Sequence, residues 1–192
     1  QIGCENTCFV TPNGLDATAE YTMEDGSKVT KEHTTTATDL ARILSYCITR
    51  SPKREQFLEI TRTPAYAFGD IDHKRNFRCN NHNAFLTMMD GAFTGKTGFT
   101  GKAGYCYTGA LKKDDRTYVV ALLACGWPNH KTYKWSDTRA LMEYGLSSYQ
   151  YHDLMHESVP QEALAAVRVC NGQTSQIGET AYMQIEVKED EH

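Results

Sequence analysis

The residues with the clearest chemical use form the short sequence Gly95-Lys96-Thr97-Gly98. A lysine ammonium supplies positive potential, and a threonine hydroxyl can donate a hydrogen bond to a carboxylate. A glycine, which has no side chain, lets an extended peptide come close to the backbone. On a strand that borders a cleft, these residues would recognise peptides with a free terminal carboxylate, added alongside the strand by backbone pairing.

Gly-Lys-Thr also ends the phosphate-binding loop of nucleotide-binding proteins, but that motif requires a glycine five positions before Gly95. The residue there is Asp90, so the phosphate-loop interpretation is rejected. The other alternative for so short a motif is a lysine and a threonine on a solvated strand edge, with no chemical role.

The composition is that of a soluble globular protein, with 40% hydrophobic and 23% charged residues in 192. The net charge is −4 and the pI is about 6.0, so no basic field favours nucleic acid as a partner. No run of about 18 apolar residues is present, which argues against a membrane-spanning helix. The mean hydropathy of −0.54 agrees.

The motif must be positioned by a sheet, because apolar segments around it predict three strands in series, over 93–100, 103–111 and 118–125. The polar connection at 112–117 is short enough for an antiparallel hairpin. The third segment is almost continuously apolar, so we expect both of its faces to be covered and the strand to be central.

Helices are predicted on either side of these strands. Apolar residues at helical spacing indicate an amphipathic helix that starts near Thr38, and a second short helix is expected over 53–60. A third helix is predicted over 136–144, capped by Ser136 and stopped by Gly145, with three side chains facing inward: Leu141, Met142 and Tyr144. Residues 5–36 are expected to be rich in loops, and 64–82 to form a short strand and a surface loop.

The seven cysteines are an odd number, so at least one of them is free or bonds outside the chain. Cys106 and Cys125 flank the predicted hairpin, where a disulfide depends on one residue of register. A split zinc site is one alternative for Cys4, Cys8, Cys79 and His82, and small buried apolar side chains are the other.

Around the motif, longer stretches closely resemble the serine D-alanyl-D-alanine carboxypeptidases, which are low-molecular-weight penicillin-binding proteins. The resemblance covers about residues 3–150 in order. The stretches that carry it are 6–16, 34–41, 81–86, 90–91, 95–100, 103–106 and 135–146.

The resemblance implies an α/β (α+β) fold, namely part of an α/β/α sandwich around an antiparallel sheet, of the β-lactamase and transpeptidase type. Residues 1–150 would be the carboxy-terminal part of the peptidase domain. Residues 151–192 would begin a small β-rich appendage, with an acidic tail over 186–192.

The implied substrate is a peptidoglycan stem peptide that ends in D-Ala-D-Ala, outside the cell membrane. In that family a serine attacks the terminal peptide bond, a lysine one helical turn later is its base, and penicillins acylate the same serine. By the match, Lys96 would be catalytic, and Thr97 and Gly98 would bind substrate. His82 would steer the substrate carboxylate, with a plain loop histidine as the alternative. No metal or other cofactor is implied.

None of the eight serines is followed by a lysine three residues later, and Ser-x-Asn is also absent from the sequence. Both motifs normally precede the Pro-Asn-Gly-Leu segment, which lies here at 12–15. We therefore expect the amino-terminal part of the same protein, as a preceding segment or a second chain, to supply them. The alternative function is a non-catalytic module that binds cell-wall peptides.

Overall fold

The computed structural model describes residues 2–152, 161–170 and 172–185. The chain divides into two compact units, 1–150 and 151–192. The first unit is a mixed α+β structure. Its helices are α1 Ala37–Thr49, α2 Arg54–Arg62, α3 Phe85–Met88 and α4 Tyr133–Ser148, and its strands are β1 Thr18–Thr22, β2 Lys28–Glu32, β3 Ala65–Gly69, β4 Asn76–Asn80, β5 Ala92–Thr100, β6 Gly104–Lys113 and β7 Arg116–Leu122.

Strands β5, β6 and β7 form an antiparallel sheet in that order, which confirms the three predicted strands and their direction. Lys96 lies opposite Thr108, and Gly98 lies opposite Cys106. Because side chains alternate along a strand, each strand presents one set of residues to each face of the sheet.

Helices lie against both faces of this sheet. On one face, Leu44 and Ile48 of α1 and Leu58 of α2 pack on Ala110 of β6. On the other face, α3 lies against β5, and α4 covers β6 and β7. The buried core on this face consists of Phe85, Tyr107, Leu111, Val120 and Met142. Alternate side chains of β6 and β7 therefore contribute to two separate cores.

The prediction that β7 is a central strand is wrong for the sheet formed by the described residues, in which β6 is central and β7 lies at one end. Both faces of β7 are nevertheless covered, by α1 and α4. The apolar run of β7 thus predicts that both of its faces are covered, which is correct. It does not predict whether a strand pairs with each edge of β7.

Helix α1 starts where a capping side chain is available. The Thr36 hydroxyl accepts a hydrogen bond from the Asp39 amide, at 3.1 Å, and so satisfies one free amide of the first turn. Helix α2 begins one residue later than predicted and extends to Arg62. Both helices were predicted from their apolar spacing, and the start of α1 was displaced by one residue.

Helix α4 was predicted too short, and its ends were assigned wrongly. It begins at Tyr133, and the Ser136 hydroxyl donates to the Tyr133 carbonyl at 2.9 Å rather than capping the helix. Gly145 is inside the helix and packs against the Tyr118 ring. Of the three side chains predicted to face inward, only Met142 is buried, while Leu141 and Tyr144 are exposed.

Residues 5–36 and 64–82 are more regular than predicted. Strands β1 and β2 form an antiparallel hairpin around the turn at Asp25 and Gly26, and β3 and β4 form another. Most of their side chains are exposed, so no buried face produced the apolar alternation on which strand prediction depends.

In the second unit, two short strands, β8 Val167–Arg168 and β9 Tyr182–Met183, pair in antiparallel fashion. The acidic tail predicted at 186–192 lies outside the described residues. No helix in the described part of the chain is both long and apolar enough to cross a bilayer.

All seven cysteines are free thiols, so the disulfide considered between Cys106 and Cys125 is not formed. The Cys125 thiol instead donates to a carboxylate oxygen of Asp137, at 2.8 Å. Burial, followed by this hydrogen bond, raises the pKa of Cys125 to about 12. Within residues 2–152, 161–170 and 172–185, no three His, Cys, Asp or Glu side chains form a group that could hold a metal, which removes the split zinc site.

Candidate functional site

The structure places Lys96, Thr97 and Gly98 together on β5, at one end of the described sheet. The Lys96 side chain is exposed, and its ammonium donates to the Thr97 carbonyl. Thr97 is half-buried opposite Tyr107, and Gly98 is exposed. The outer edge of β5 has no partner strand among the described residues, so its amides and carbonyls can pair with an added peptide.

The face of the sheet that carries Lys96 becomes more exposed from Thr94 toward the end of β5. Thr94 and Ala110 are fully buried where α1 and α2 cover this face. Two residues further along each strand, Lys96 is exposed and Thr108 is half-buried. Since Lys96 and Gly98 alternate with Thr97, both belong to this open part of the face.

Asn83 and Tyr107 support β5 from the opposite face. The Tyr107 hydroxyl donates to the Asn83 side-chain carbonyl at 2.9 Å, and both residues are buried. A Cβ atom on Gly95 would lie 2.4 Å from the Tyr107 hydroxyl and 2.8 Å from the Thr108 carbonyl oxygen. Gly95 is therefore required by packing, directly before Lys96.

Burial raises the pKa of the Tyr107 hydroxyl, and the hydrogen bond to Asn83 offsets part of that rise. Tyr107 therefore remains a neutral donor near neutral pH. This pair was not predicted from the sequence. The signal that was available is an asparagine followed by an apolar helical turn, beside a glycine-rich strand.

His82 is exposed in the segment between β4 and α3, where its carbonyl accepts from the Ala84 amide at 3.1 Å. Asn83, the next residue, reaches β5 at Gly95. Among the described residues, the His82 ring makes no hydrogen bond or ion pair with Lys96 or Thr97. The structure thus brings three of the four predicted site residues together, with His82 in a neighbouring segment.

Four charged or titratable residues at the far end of β5 were not predicted from the sequence. Asp16, Glu32 and His33 come from the ends of the β1–β2 hairpin, and Lys102 comes from the turn after β5. They are separated by up to 86 positions in the sequence, and only the fold brings them together.

An antiparallel sheet with helices on both faces and a Lys-Thr-Gly sequence on an outer strand are typical of β-lactamases and penicillin-binding proteins, in which Lys-Thr-Gly is one of three motifs. A family model described as D-alanyl-D-alanine carboxypeptidase (Peptidase_S11) matches residues 1–125. The chain belongs to this family, whose members typically act outside the cytoplasm. The resemblance seen in the motifs is confirmed.

Individual relatives agree with this assignment. The D-alanyl-D-alanine carboxypeptidase DacF of Bacillus subtilis (strain 168) is 25% identical over 173 residues, which are 90% of this chain and 38% of DacF. Penicillin-binding protein D2 of Listeria monocytogenes, solved with bound ampicillin, is 27% identical, with a TM-score of 0.54 over 76% of this chain and 51% of that protein. The same protein was also solved with cefotaxime.

A D-alanyl-D-alanine carboxypeptidase from Mycobacterium tuberculosis H37Rv shares the fold, with 24% identity and a TM-score of 0.58 over 80% of this chain and 50% of that one. The chain therefore spans about half the length of these solved relatives, and 38% of DacF.

Proposed function

We propose that this chain is the Lys-Thr-Gly part of a penicillin-sensitive D-alanyl-D-alanine carboxypeptidase of the cell wall, which acts outside the cytoplasm. The observation that carries the proposal is the position of Lys96, Thr97 and Gly98 on β5, whose outer edge has no partner strand within the part of the chain that the structure describes, in a member of this family. The substrate is a peptidoglycan stem peptide that ends in D-Ala-D-Ala, and β-lactams are its mimics.

The three residues have separate roles in binding. The substrate pairs with the edge of β5 through its backbone, as an added strand. The Thr97 hydroxyl donates to the terminal carboxylate, and the exposed Lys96 ammonium attracts that carboxylate and stabilises negative charge that develops during acyl transfer. At Gly98 the absence of a side chain lets the peptide approach the open face.

A serine and a lysine base outside these 192 residues complete the site. The serine oxygen attacks the carbonyl carbon of the penultimate residue and gives its proton to the lysine. The peptide bond then breaks, the terminal D-Ala leaves as the protonated amine, and water hydrolyses the acyl-enzyme. The open face beside Lys96 supports this proposal, because a nucleophile placed there lies next to the edge where the peptide binds.

Labelled penicillin tests the proposal on the full gene product, including everything encoded upstream of residue 1. Lys96→Ala should lower the rate of covalent labelling about a hundredfold or more, since one preorganised electrostatic group is removed. Lys113→Ala, which removes an exposed lysine at the other end of the sheet, is the matched control and should label normally.

Equal labelling of the Lys96→Ala variant and the control would contradict the role of Lys96. Labelling of the 192-residue chain by itself would contradict the proposed location of the nucleophile. If the full gene product binds D-Ala-D-Ala peptides without labelling or hydrolysis, the non-catalytic peptide-binding function is correct instead.

A further inference from the structure

A cavity of about 270 Å³ lies where the β1–β2 hairpin meets the turn after β5. We refer to it as the hairpin pocket. Six residues line it: Asp16, Ala17, Thr18, Glu32, His33 and Lys102. Charged or titratable side chains are four of the six, so the pocket suits a small charged group.

Two contacts fix the hairpin pocket to the strand that carries Lys96. The Thr100 hydroxyl, at the end of β5, donates to a carboxylate oxygen of Asp16 at 3.1 Å. The Lys102 ammonium donates to a carboxylate oxygen of Glu32 at 2.7 Å. The pocket therefore begins three residues beyond Thr97 along the same strand.

The pocket offers acceptors and donors side by side. Asp16 and Glu32 are carboxylates, and Lys102 is an ammonium whose pKa is raised by the hydrogen bond to Glu32 and by the charges of Glu32 and Asp16. The Nδ1 atom of His33 accepts from the amides of Val10 and Thr11, at 3.0 and 3.2 Å. The neutral His33 ring consequently carries its proton on Nε2, the second ring nitrogen, and is a donor there.

The direction of the added peptide determines which of its residues meets this pocket. The sheet is antiparallel throughout, and antiparallel pairing is slightly more stable per residue than parallel pairing. If the terminal carboxylate of an antiparallel peptide lies at Thr97, the residues that precede this carboxylate extend toward Thr100, at about 3.4 Å per residue. Its third residue from the carboxyl end then lies at the Phe99–Gly101 end of the strand, beside the pocket.

We propose that the hairpin pocket binds the end of this third side chain and selects one that carries both an ammonium and a carboxylate, as in a diaminodicarboxylic acid. The inference rests on the proposed function, since it uses the same peptide and the same strand edge. The ammonium binds Asp16 and Glu32, and the carboxylate binds Lys102 and the Nε2 proton of His33.

A side chain with an ammonium alone uses only half of these groups. The Lys102–Glu32 ion pair is well exposed, with side-chain exposures of 66% and 55%, so rearranging it costs little. Binding of a ligand with both charges therefore replaces one weak surface ion pair by contacts between the ligand and all four groups. We expect a preference of about fivefold for the side chain with both charges, the size of one exposed charge pair.

The test uses the full gene product and three peptides, Nα-acetyl-X-D-Ala-D-Ala with X as meso-diaminopimelic acid, lysine or alanine. Calorimetry measures binding, and released D-Ala measures turnover. Lys102→Met should remove the preference for the diaminopimelic acid peptide over the lysine peptide. Asp16→Asn should weaken the binding of both of these peptides relative to the alanine peptide. Lys28→Ala, which changes an exposed lysine of the same hairpin outside the pocket lining, should leave the order unchanged.

The two proposals can fail separately in this experiment. Equal binding and turnover of all three peptides, or a preference that Lys102→Met leaves intact, would overturn the inference and leave the carboxypeptidase function standing. Selective binding of the diaminopimelic acid peptide without release of D-Ala or penicillin labelling would support the pocket and overturn the carboxypeptidase function.

Discussion

Gly95 and Gly98 flank the Lys96–Thr97 pair and have different structural requirements. A Cβ atom on Gly95 would meet the Thr108 carbonyl oxygen at 2.8 Å, and backbone atoms cannot move aside cheaply. A Cβ atom on Gly98 would meet only the Cys106 Cβ, at 3.9 Å, which is an ordinary contact. Gly95 is therefore needed for packing, while Gly98 leaves space on the face where we propose that substrate binds.

Alanine at each position should separate these roles. Gly95→Ala should lower the free energy of unfolding by about 1–3 kcal/mol, the usual cost of overpacking a buried site. Gly98→Ala should leave that free energy within about 0.5 kcal/mol, because the site is open. Urea denaturation measures both.

In the full gene product, Gly98→Ala should nevertheless slow penicillin labelling, since the added methyl group narrows the approach to β5. If Gly98→Ala labels at the normal rate, Gly98 has no part in substrate docking. If Gly95→Ala is as stable as Gly98→Ala, the close packing described around Tyr107 is wrong.

At the level of single residues, the sequence was sufficient to place Lys96, Thr97 and Gly98 on one strand, because contiguous residues stay together in any fold that forms the strand. The sequence was insufficient to predict that Asn83 lies beside Tyr107, or that Asp16 and Lys102 line the same pocket. Those pairs are 24 and 86 residues apart, and only tertiary structure determines their contacts.

Among the elements, α1 provides an anchor for the segment that precedes it. The Asp39 side chain is almost fully buried, and its Oδ2 atom accepts from the Asn6 amide at 3.0 Å and the Thr7 hydroxyl at 2.8 Å. Arg42, one helical turn later, lies 3.6 Å from its other oxygen. One carboxylate thus joins the chain start to the first turn of the helix.

Asp39→Ala should therefore lower the free energy of unfolding by about 2–3 kcal/mol, because the Asn6 amide and the half-buried Thr7 hydroxyl lose a charged acceptor. Asp72→Ala is the control, since that carboxylate is exposed and forms a surface ion pair with Lys74. Thermal and urea unfolding of both variants measure the difference. Equal stability of the two variants would show that the Asp39 contacts contribute little.

The elements predicted correctly were those with a buried face. Apolar side chains pack against a neighbouring element in strands β5, β6 and β7 and in helices α1 and α2. Their apolar residues therefore recur at the spacing typical of a strand or a helix. The hairpins β1–β2 and β3–β4 are largely exposed, and their pairing depends on backbone hydrogen bonds and turns that apolar patterning does not report. The amino end of α4 was missed because Tyr133 and Lys134 precede a serine that resembles a cap.

At the scale of the molecule, both core clusters and every candidate site residue lie in the unit formed by residues 1–150. That unit also contains the end of α4, where Arg116 donates to the Tyr149 carbonyl and the Tyr144 and Tyr149 rings pack edge to face. We therefore expect contacts within the unit 1–150 to provide most of the stability of that unit.

A full gene product shortened to end after Gln150 should thus label with penicillin at a rate within about twofold of the unshortened protein. Its main unfolding transition should keep its midpoint within about 4 °C, the shift that about 1 kcal/mol produces in a domain of this size. A second variant that ends after Tyr144 removes the last turn of α4 and the Tyr149 contacts, and it should unfold at a clearly lower temperature. Loss of labelling in the protein that ends after Gln150, with its unfolding transition unchanged, would instead place part of the substrate site beyond residue 150.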